Sequence, residues 1–578
     1  MNVLQDNQPP SGEWEQSMKI AQVFAGLLIS CMLAACGGGS SGSSSGSLTL
    51  SPASASVAAG STQLYTVTNG NGDAITWQVN GITGGNASVG TISGSGLYTA
   101  PAVPPISQPL SITATQDSMS ASAAATVTYS SQSLSGQFVF TFSEMHGSSI
   151  TNTVGMITAD GSGNISGTED VRSPTNYYPS QPLTGNYTLS ANGQGTLTIN
   201  GGSAGTLILT LSLVAGAAEG ILTDAASGNV GGGKLNPQTG QVNAGTDLNG
   251  SYTLSLGASA LAPNDNGIGI VTLSSPSISG TNFDVNNGGA YTLYNTVLGS
   301  YTVVSGNRGT LSLTLGTTTH YVFYAESSGQ LEIMCIDSSC TNTGELDAQS
   351  SQAVSSGNYV FLVIGSGTGQ TPDALMAIGS VTPTSSTTGS MNLSMFENYN
   401  GSYLSLTNGT TYTLSATGRG MTMLPTPNGS RNFVFNVQSA GNLNLLETSS
   451  GFGNTSGFAI ATQGMTTIPA GQYVFNTLNQ IPSSQSTGTT QAILQVSSSG
   501  QVTGQELVNT GGSIVTVPVS GSIVVQSVAG TFVMTLNLGG GQMASYLLAV
   551  VVPGDMGVLR TDNNAVDAGD MIIQYETQ

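Results

Sequence analysis

The pattern Gly, any residue, aromatic, any residue, apolar occurs four times at nearly constant spacing. Its copies are Gly136-Gln137-Phe138-Val139-Phe140, Gly250-Ser251-Tyr252-Thr253-Leu254, Gly357-Asn358-Tyr359-Val360-Phe361 and Gly471-Gln472-Tyr473-Val474-Phe475, with starts 114, 107 and 114 residues apart. A second landmark glycine, at Gly195, Gly309, Gly420 and Gly530, follows the first by 59, 59, 63 and 59 residues. A third landmark, Ile165-Ser166-Gly167-Thr168-Glu169-Asp170-Val171, returns as Val502-Thr503-Gly504-Gln505-Glu506-Leu507-Val508. Landmarks that hold register over such long units mark each unit as one structural repeat.

Each unit offers seven or eight short runs that alternate apolar residues with Thr, Ser or Asn, as in Phe532, Met534, Leu536 and Leu538. Alternation buries one face of a sheet. A sheet buried on one side must close on itself or meet a second sheet, because free edges pair with other chains. The pattern therefore predicts an all-β chain with tandem antiparallel β-barrel-like repeat domains at 133–247, 248–350, 351–467 and 468–578, a flattened sandwich being the alternative for each. Phrases such as Thr158-Ala159-Asp160-Gly161-Ser162-Gly163-Asn164 are similar to repeats of secreted bacterial lipoproteins, a resemblance that implies no activity.

Residues 48–130 form a different unit, with short strand-like runs at Gln63 to Thr68, Ile75 to Val79, Leu110 to Thr115 and Ala125 to Tyr129. Ser51-Pro52, Ile75-Thr76-Trp77, Gly90-Thr91-Ile92 and Gly96-Leu97-Tyr98-Thr99-Ala100-Pro101 together resemble the bacterial immunoglobulin-like domains of surface proteins and adhesins. That resemblance implies a small sandwich with Trp77 as a core plug between its sheets.

Upstream, the apolar run Ile20 to Ala35 follows Lys19 and ends in Leu33-Ala34-Ala35-Cys36, with only Gly and Ser from Gly37 to Ser47. The run is shorter than the ~20 residues of a membrane-spanning helix and fits a signal segment. The reading is a lipoprotein signal over 1–35, with Met18 as the start suggested by Lys19, lipidation of Cys36, and a tether over 36–47. It places the protein outside the cytoplasm, lipid-anchored to a membrane through Cys36, at the outer membrane or cell surface.

Seven basic residues stand against 28 acidic ones, for a net charge of -21, and the basic residues are scattered singly. Nucleic-acid binding, which needs clustered Lys and Arg, is excluded. Apart from Cys31 and Cys36, the cysteines are Cys335 and Cys340. A disulfide between them is the reading, since two Cys without neighbouring His cannot fill a zinc shell.

A serine nucleophile needs a His, and only His146 and His320 exist, at unrelated places in their repeats. The Gly-x-Ser-x-Gly of Gly42 to Gly46 and the Gly-x-Gly-x-x-Gly of Gly37 to Gly42 fall in the tether, without the strand and helix such motifs require. Glu169 and Asp170 are adjacent on a strand and point to opposite faces, so they cannot flank one glycosidic bond. Turn-borne oxygen ligands for calcium are offered by Asp160, Ser162 and Asn164, or by Asp562, Asn564, Asp567 and Asp570. The same residue types serve hairpin turns, which is the favoured reading. The expectation is a non-catalytic, multivalent binding or adhesion array of the cell envelope, taking a glycan or protein ligand on its repeat loops. The alternatives are a carbohydrate-active or other hydrolase with its site in one divergent repeat, and a purely structural envelope protein.

Overall fold

The structure, a computed structural model, describes residues 47–578 apart from 148, 202–204, 215–218, 226–228, 259–265, 368–370, 450–453, 464–465, 482–485, 511–512, 539–540, 553, 563–564 and 578. The signal segment, Cys36 and nearly all of the tether lie outside the described residues, as does Asn564. Among the described residues no helix is long and apolar enough to cross a membrane.

The four repeats are four closed, eight-stranded, antiparallel barrels. Barrel 1 runs from strand Ser135–His146 to strand Val230–Pro237, barrel 2 from Gly250–Ala258 to Asn342–Ala348, barrel 3 from Gly357–Gly367 to Asn454–Thr462, and barrel 4 from Gly471–Ile481 to Val566–Thr577. Consecutive strands pair, and the last returns to the first, as in Val139 with Asn236, Thr253 with Asp347, Val360 with Ile460 and Val474 with Ile572. Closure decides against the sandwich alternative.

The landmarks now have physical causes. Phe138, Tyr252, Tyr359 and Tyr473 point into the lumens and are at most 3% exposed. The tyrosine hydroxyls donate to the chain that seals one end of the barrel: Tyr359 to Ala440 O at 2.9 Å, Tyr473 to Pro469 O at 2.7 Å, and in barrel 1 Tyr187 to Leu134 O at 2.7 Å. Gly309 and Gly420 lie under aromatic rings, where a Cβ would meet Phe323 and Phe435 at 2.1 Å. Each lumen is packed with side chains, in barrel 1 with Phe140, Leu197, Leu209, Leu211 and Leu235 among others. As in other small barrels, this interior is a core and not a channel.

The N-terminal module is a β-sandwich built from a five-stranded and a four-stranded sheet with a two-stranded ribbon. Trp77 is 5% exposed in the core between Val57, Ile112 and Tyr98. Gly96 has φ +82°, and a Cβ there would lie 2.2 Å from Tyr65 O and 2.6 Å from the Trp77 ring, which explains the glycine before Leu97. The module does not stand off from the barrels. Ser107–Gln108 adds in parallel to Glu576 and Thr577 of barrel 4, and Gln132 Nε2 donates to Gly161 O of barrel 1 at 3.0 Å.

Candidate functional site

The barrels touch in a cycle. Barrel 1 meets barrel 2 through Val139 and Val154 against Val322, Tyr324 and Met334. Barrel 2 meets barrel 3 through Ile268 against Val434 and Leu446. Barrel 3 meets barrel 4 through Val360, Met376 and Phe396 against Leu547, Val551 and Leu559. Barrel 4 returns to barrel 1 through Val474 and Ile493 against Val214 and Ile221. Each of these apolar contacts centres on strands 1 to 3 of one barrel and the later strands of the next. This is a head-to-tail interface whose repetition closes into a ring.

One hydrogen bond recurs at all of these junctions. Arg172 donates to Asp337 O at 3.1 Å, Asn286 to Glu447 O at 2.9 Å, Asn398 to Arg560 O at 2.9 Å and Asn509 to Asn229 O at 2.9 Å. Two residues before these donors sit Asp170, Asp284, Phe396 and Leu507. Asp170, fully buried, accepts from Arg308 Nε and Nη2 of barrel 2, both at 2.7 Å, and from Tyr177 and Tyr324 at 2.5 and 2.7 Å. Burial alone would raise its pKa, but these hydrogen bonds more than offset it and hold the carboxyl below its usual range. Asp284 repeats the arrangement with Arg419 at 2.7 and 2.6 Å and Tyr291 at 2.8 Å. At the third junction the matching positions are Phe396 and, before its landmark glycine, Ala529, and packing replaces the ion pair.

Beside these anchors run grooves. The groove between barrels 1 and 2 holds about 580 Å³ and is lined by Tyr177, Ser300, Thr310, Ser312, His320 and Asp337. The groove between barrels 3 and 4 holds about 350 Å³, lined by Phe396, Tyr403, Leu406, Val528, Val533 and Leu547. They are the same place in the repeat: Tyr177 and Tyr403 each follow the anchor position by seven residues. Ser312 faces His320 across the ladder as Val533 faces Leu547. Between barrels 2 and 3 the matching residues are Tyr291, Met423 and Asn432, and between barrels 4 and 1 they are Ile514, Thr198 and Ile208. One backbone frame thus carries two chemically different grooves, and the residues at the matching positions of the other two junctions differ again.

His320 Nδ1 lies 3.1 Å from Asp337 Oδ1, and the His320 N–H donates to Asp337 Oδ2 at 2.9 Å. Nε2 is the ring nitrogen that Asp337 does not engage. His146 is in barrel 1, with Nδ1 2.5 Å from Asn229 Oδ1, so the two histidines serve separate places.

The remaining candidate residues are structural in their surroundings. Asp160 accepts from Ser162 N at 2.7 Å, Asn164 N at 3.0 Å and Asn164 Nδ2 at 2.7 Å, a turn closed on itself. Asp562 and Asp567 flank Arg560 at 2.9 and 2.8 Å inside barrel 4. Asp570 sits on the last strand opposite Asn476, and burial, then Asp555, pushes its carboxyl up to about 7. Among the described residues no group of three His, Cys, Asp or Glu is arranged to hold a metal. Cys335 and Cys340 are joined by a disulfide between strands Gln330–Cys335 and Asn342–Ala348.

Glu169 faces Gly155 on the lumen side of barrel 1 while Asp170 faces barrel 2. Burial, then the Asp170 charge, pushes Glu169 up to about 7. Glu506 holds the same place in barrel 4 and is likewise pushed up to about 7 by burial. In barrel 3 the lumen end closes over Arg431, whose guanidinium meets Asp373, Glu397 and Glu447 at 2.8, 2.8 and 2.6 Å, all fully buried. These lumen groups are buried, whereas the grooves between barrels are open to solvent. Compared with known proteins, the chain matches no family model and no curated sequence.

Proposed function

We propose that this chain is a non-catalytic binding module of the cell envelope, anchored by lipid on Cys36, whose junction grooves act as several distinct sites on one rigid body. The observation that carries the reading is the recurrence of one groove frame at two junctions with different linings, polar beside His320 and floored by apolar side chains beside Phe396. Rigid presentation of several weak sites raises avidity by orders of magnitude when geometry permits joint contact. The resemblance of 48–130 to immunoglobulin-like modules of surface proteins, and the lipoprotein signal, supply the setting. Peptide and glycan arrays probed with the full-length chain test the reading. His320→Ala and Leu406→Lys are each expected to remove a different subset of signals, whereas loss of all signals together, or of none, overturns it.

A second reading rests on a specific observation: His320, oriented by Asp337, lies in the larger groove across from Ser312. That is part of a hydrolase constellation. Chromogenic esters and glycosides turned over by the chain, with turnover lost in His320→Ala, would establish it in place of the first.

A further inference from the structure

Strand 4 of barrel 3, Ser402–Leu414, pairs along its length with Thr388–Tyr399, but on its other edge only Tyr412, Thr413 and Leu414 are laddered to Arg419–Thr426. Thr410 and Thr422 side chains close the fork, donating to Met423 O at 2.6 Å and Thr411 O at 3.0 Å. Beyond the fork Leu404 to Gly409 are all exposed. A flat, uncharged, unpaired edge is a template for another strand. Two other barrels protect it. The residue corresponding to Thr407, which faces Ser394, is Pro182 in barrel 1, facing Thr168, and Pro518 in barrel 4, facing Gln505. Proline removes the edge N–H. In barrel 2 the strand is interrupted between Tyr294 and Val297. Barrel 3 alone keeps a continuous, proline-free edge, and there it borders a groove with an apolar floor of Phe396, Val533 and Leu547 and a polar rim that includes Ser405, Thr407 and Gln526.

We propose that this edge and groove form a strand-addition site for an extended segment of a partner polypeptide, uncharged or basic, with apolar side chains at alternate positions. Main-chain hydrogen bonds to 404–407 supply affinity, the Gly409 N–H being already held by Asn408 Oδ1 at 2.8 Å, and every second side chain of the segment enters the groove beside Tyr403, Ser405 and Thr407, which gives selectivity. The groove floor is continuous with the apolar interface between barrels 3 and 4. The charge of -21 disfavours both an acidic segment and a second copy of this chain as occupant. The inference rests on the binding reading above and names the ligand class of one groove.

The test uses the full-length chain and an acetylated, amidated peptide of the sequence Arg308–Leu315, the strand that lies against strand 4 in barrel 2. Anisotropy is expected to show saturable binding, and deuterium exchange to show protection confined to 402–411. Thr407→Pro, a change the fold already accepts at Pro182 and Pro518, is expected to weaken binding at least tenfold with exchange elsewhere unchanged. A peptide N-methylated at alternate residues is expected to fail. Equal affinity for Thr407→Pro, equal binding of the N-methylated peptide, protection elsewhere, displacement by a glycan, or no saturation at millimolar peptide would each overturn strand addition. Array signals that persist and still map to the other grooves in that case would leave the binding reading intact.

Discussion

Asp170→Asn tests the ion pair that joins barrels 1 and 2. Asp170 has no exposed side-chain surface, Arg308 keeps 12%, and two guanidinium bonds of 2.7 Å join them. Asparagine keeps the shape and one acceptor for Tyr324 but leaves the guanidinium without its countercharge. Stranding one member of a buried pair costs about 3–5 kcal/mol. The retained hydrogen bonds favour the lower value, and about 3 kcal/mol is roughly a hundredfold in the opening equilibrium. Deuterium exchange is the assay, since the barrels have separate cores: amides of Asn164–Arg172 and Arg308–Leu315 are expected to exchange about a hundredfold faster, those of barrel 3 unchanged. Combining Asp170→Leu with Arg308→Met and Tyr177→Phe imitates the junction with Phe396 and is expected to recover most of the loss, because apolar replacement of a buried pair is often neutral. Unchanged exchange in Asp170→Asn would show that the junction does not depend on this pair.

Glu169 is pushed up from 4.5 to about 7. The folded chain therefore binds more protons than the unfolded chain between those values, and stability falls as pH rises through that window. Glu169→Gln is expected to match the wild type below pH 4 and to exceed it by about 3 kcal/mol above pH 7 in denaturant titrations. Asp347 and Asp373, both pushed up to about 7 with burial as the main cause, predict the same sign. Arg431→Met leaves Asp373, Glu397 and Glu447 without their counter-ion, and limited proteolysis is expected to cut barrel 3 first. Cys335→Ser with Cys340→Ser opens a loop of six residues and is expected to cost barrel 2 about 2 kcal/mol, with the other barrels unaffected. Cys36→Ser is expected to move the protein from the membrane fraction to the soluble fraction.

The barrels were legible because period-2 alternation and three registered landmarks are local signals, each fixed by packing within one repeat. The ring was not, because its contacts join residues such as Asp170 and Arg308, 138 positions apart. A signal existed all the same. Arg308 and Arg419 both precede the second landmark glycine, and Asp170 and Asp284 both follow the first by 34 residues. Acid in one repeat and base in the next, each at a fixed register, marks a head-to-tail pair. The few basic residues read as merely scattered, yet Arg308, Arg419, Arg431 and Arg560 each neutralise a buried carboxylate. The alternation of Glu169 and Asp170 to opposite faces was read from the strand pattern, but not that one face is lumen and the other a neighbouring barrel. A ligand was expected on the repeat loops, and the two grooves between barrels were not foreseen, because neither partner alone has a sequence signature there.

The grooves exist only where neighbouring barrels dock side by side as they do in the ring, so small-angle scattering from residues 48–578 tests the account most directly. A closed ring with the module docked on it approaches the compact limit, a radius of gyration of about 24–27 Å for this length. Four barrels strung in line, each roughly 30 Å across from the rise of their strands, would give about 35 Å or more. A value near the first is expected, and a value near the second would contradict the ring and every groove that depends on it.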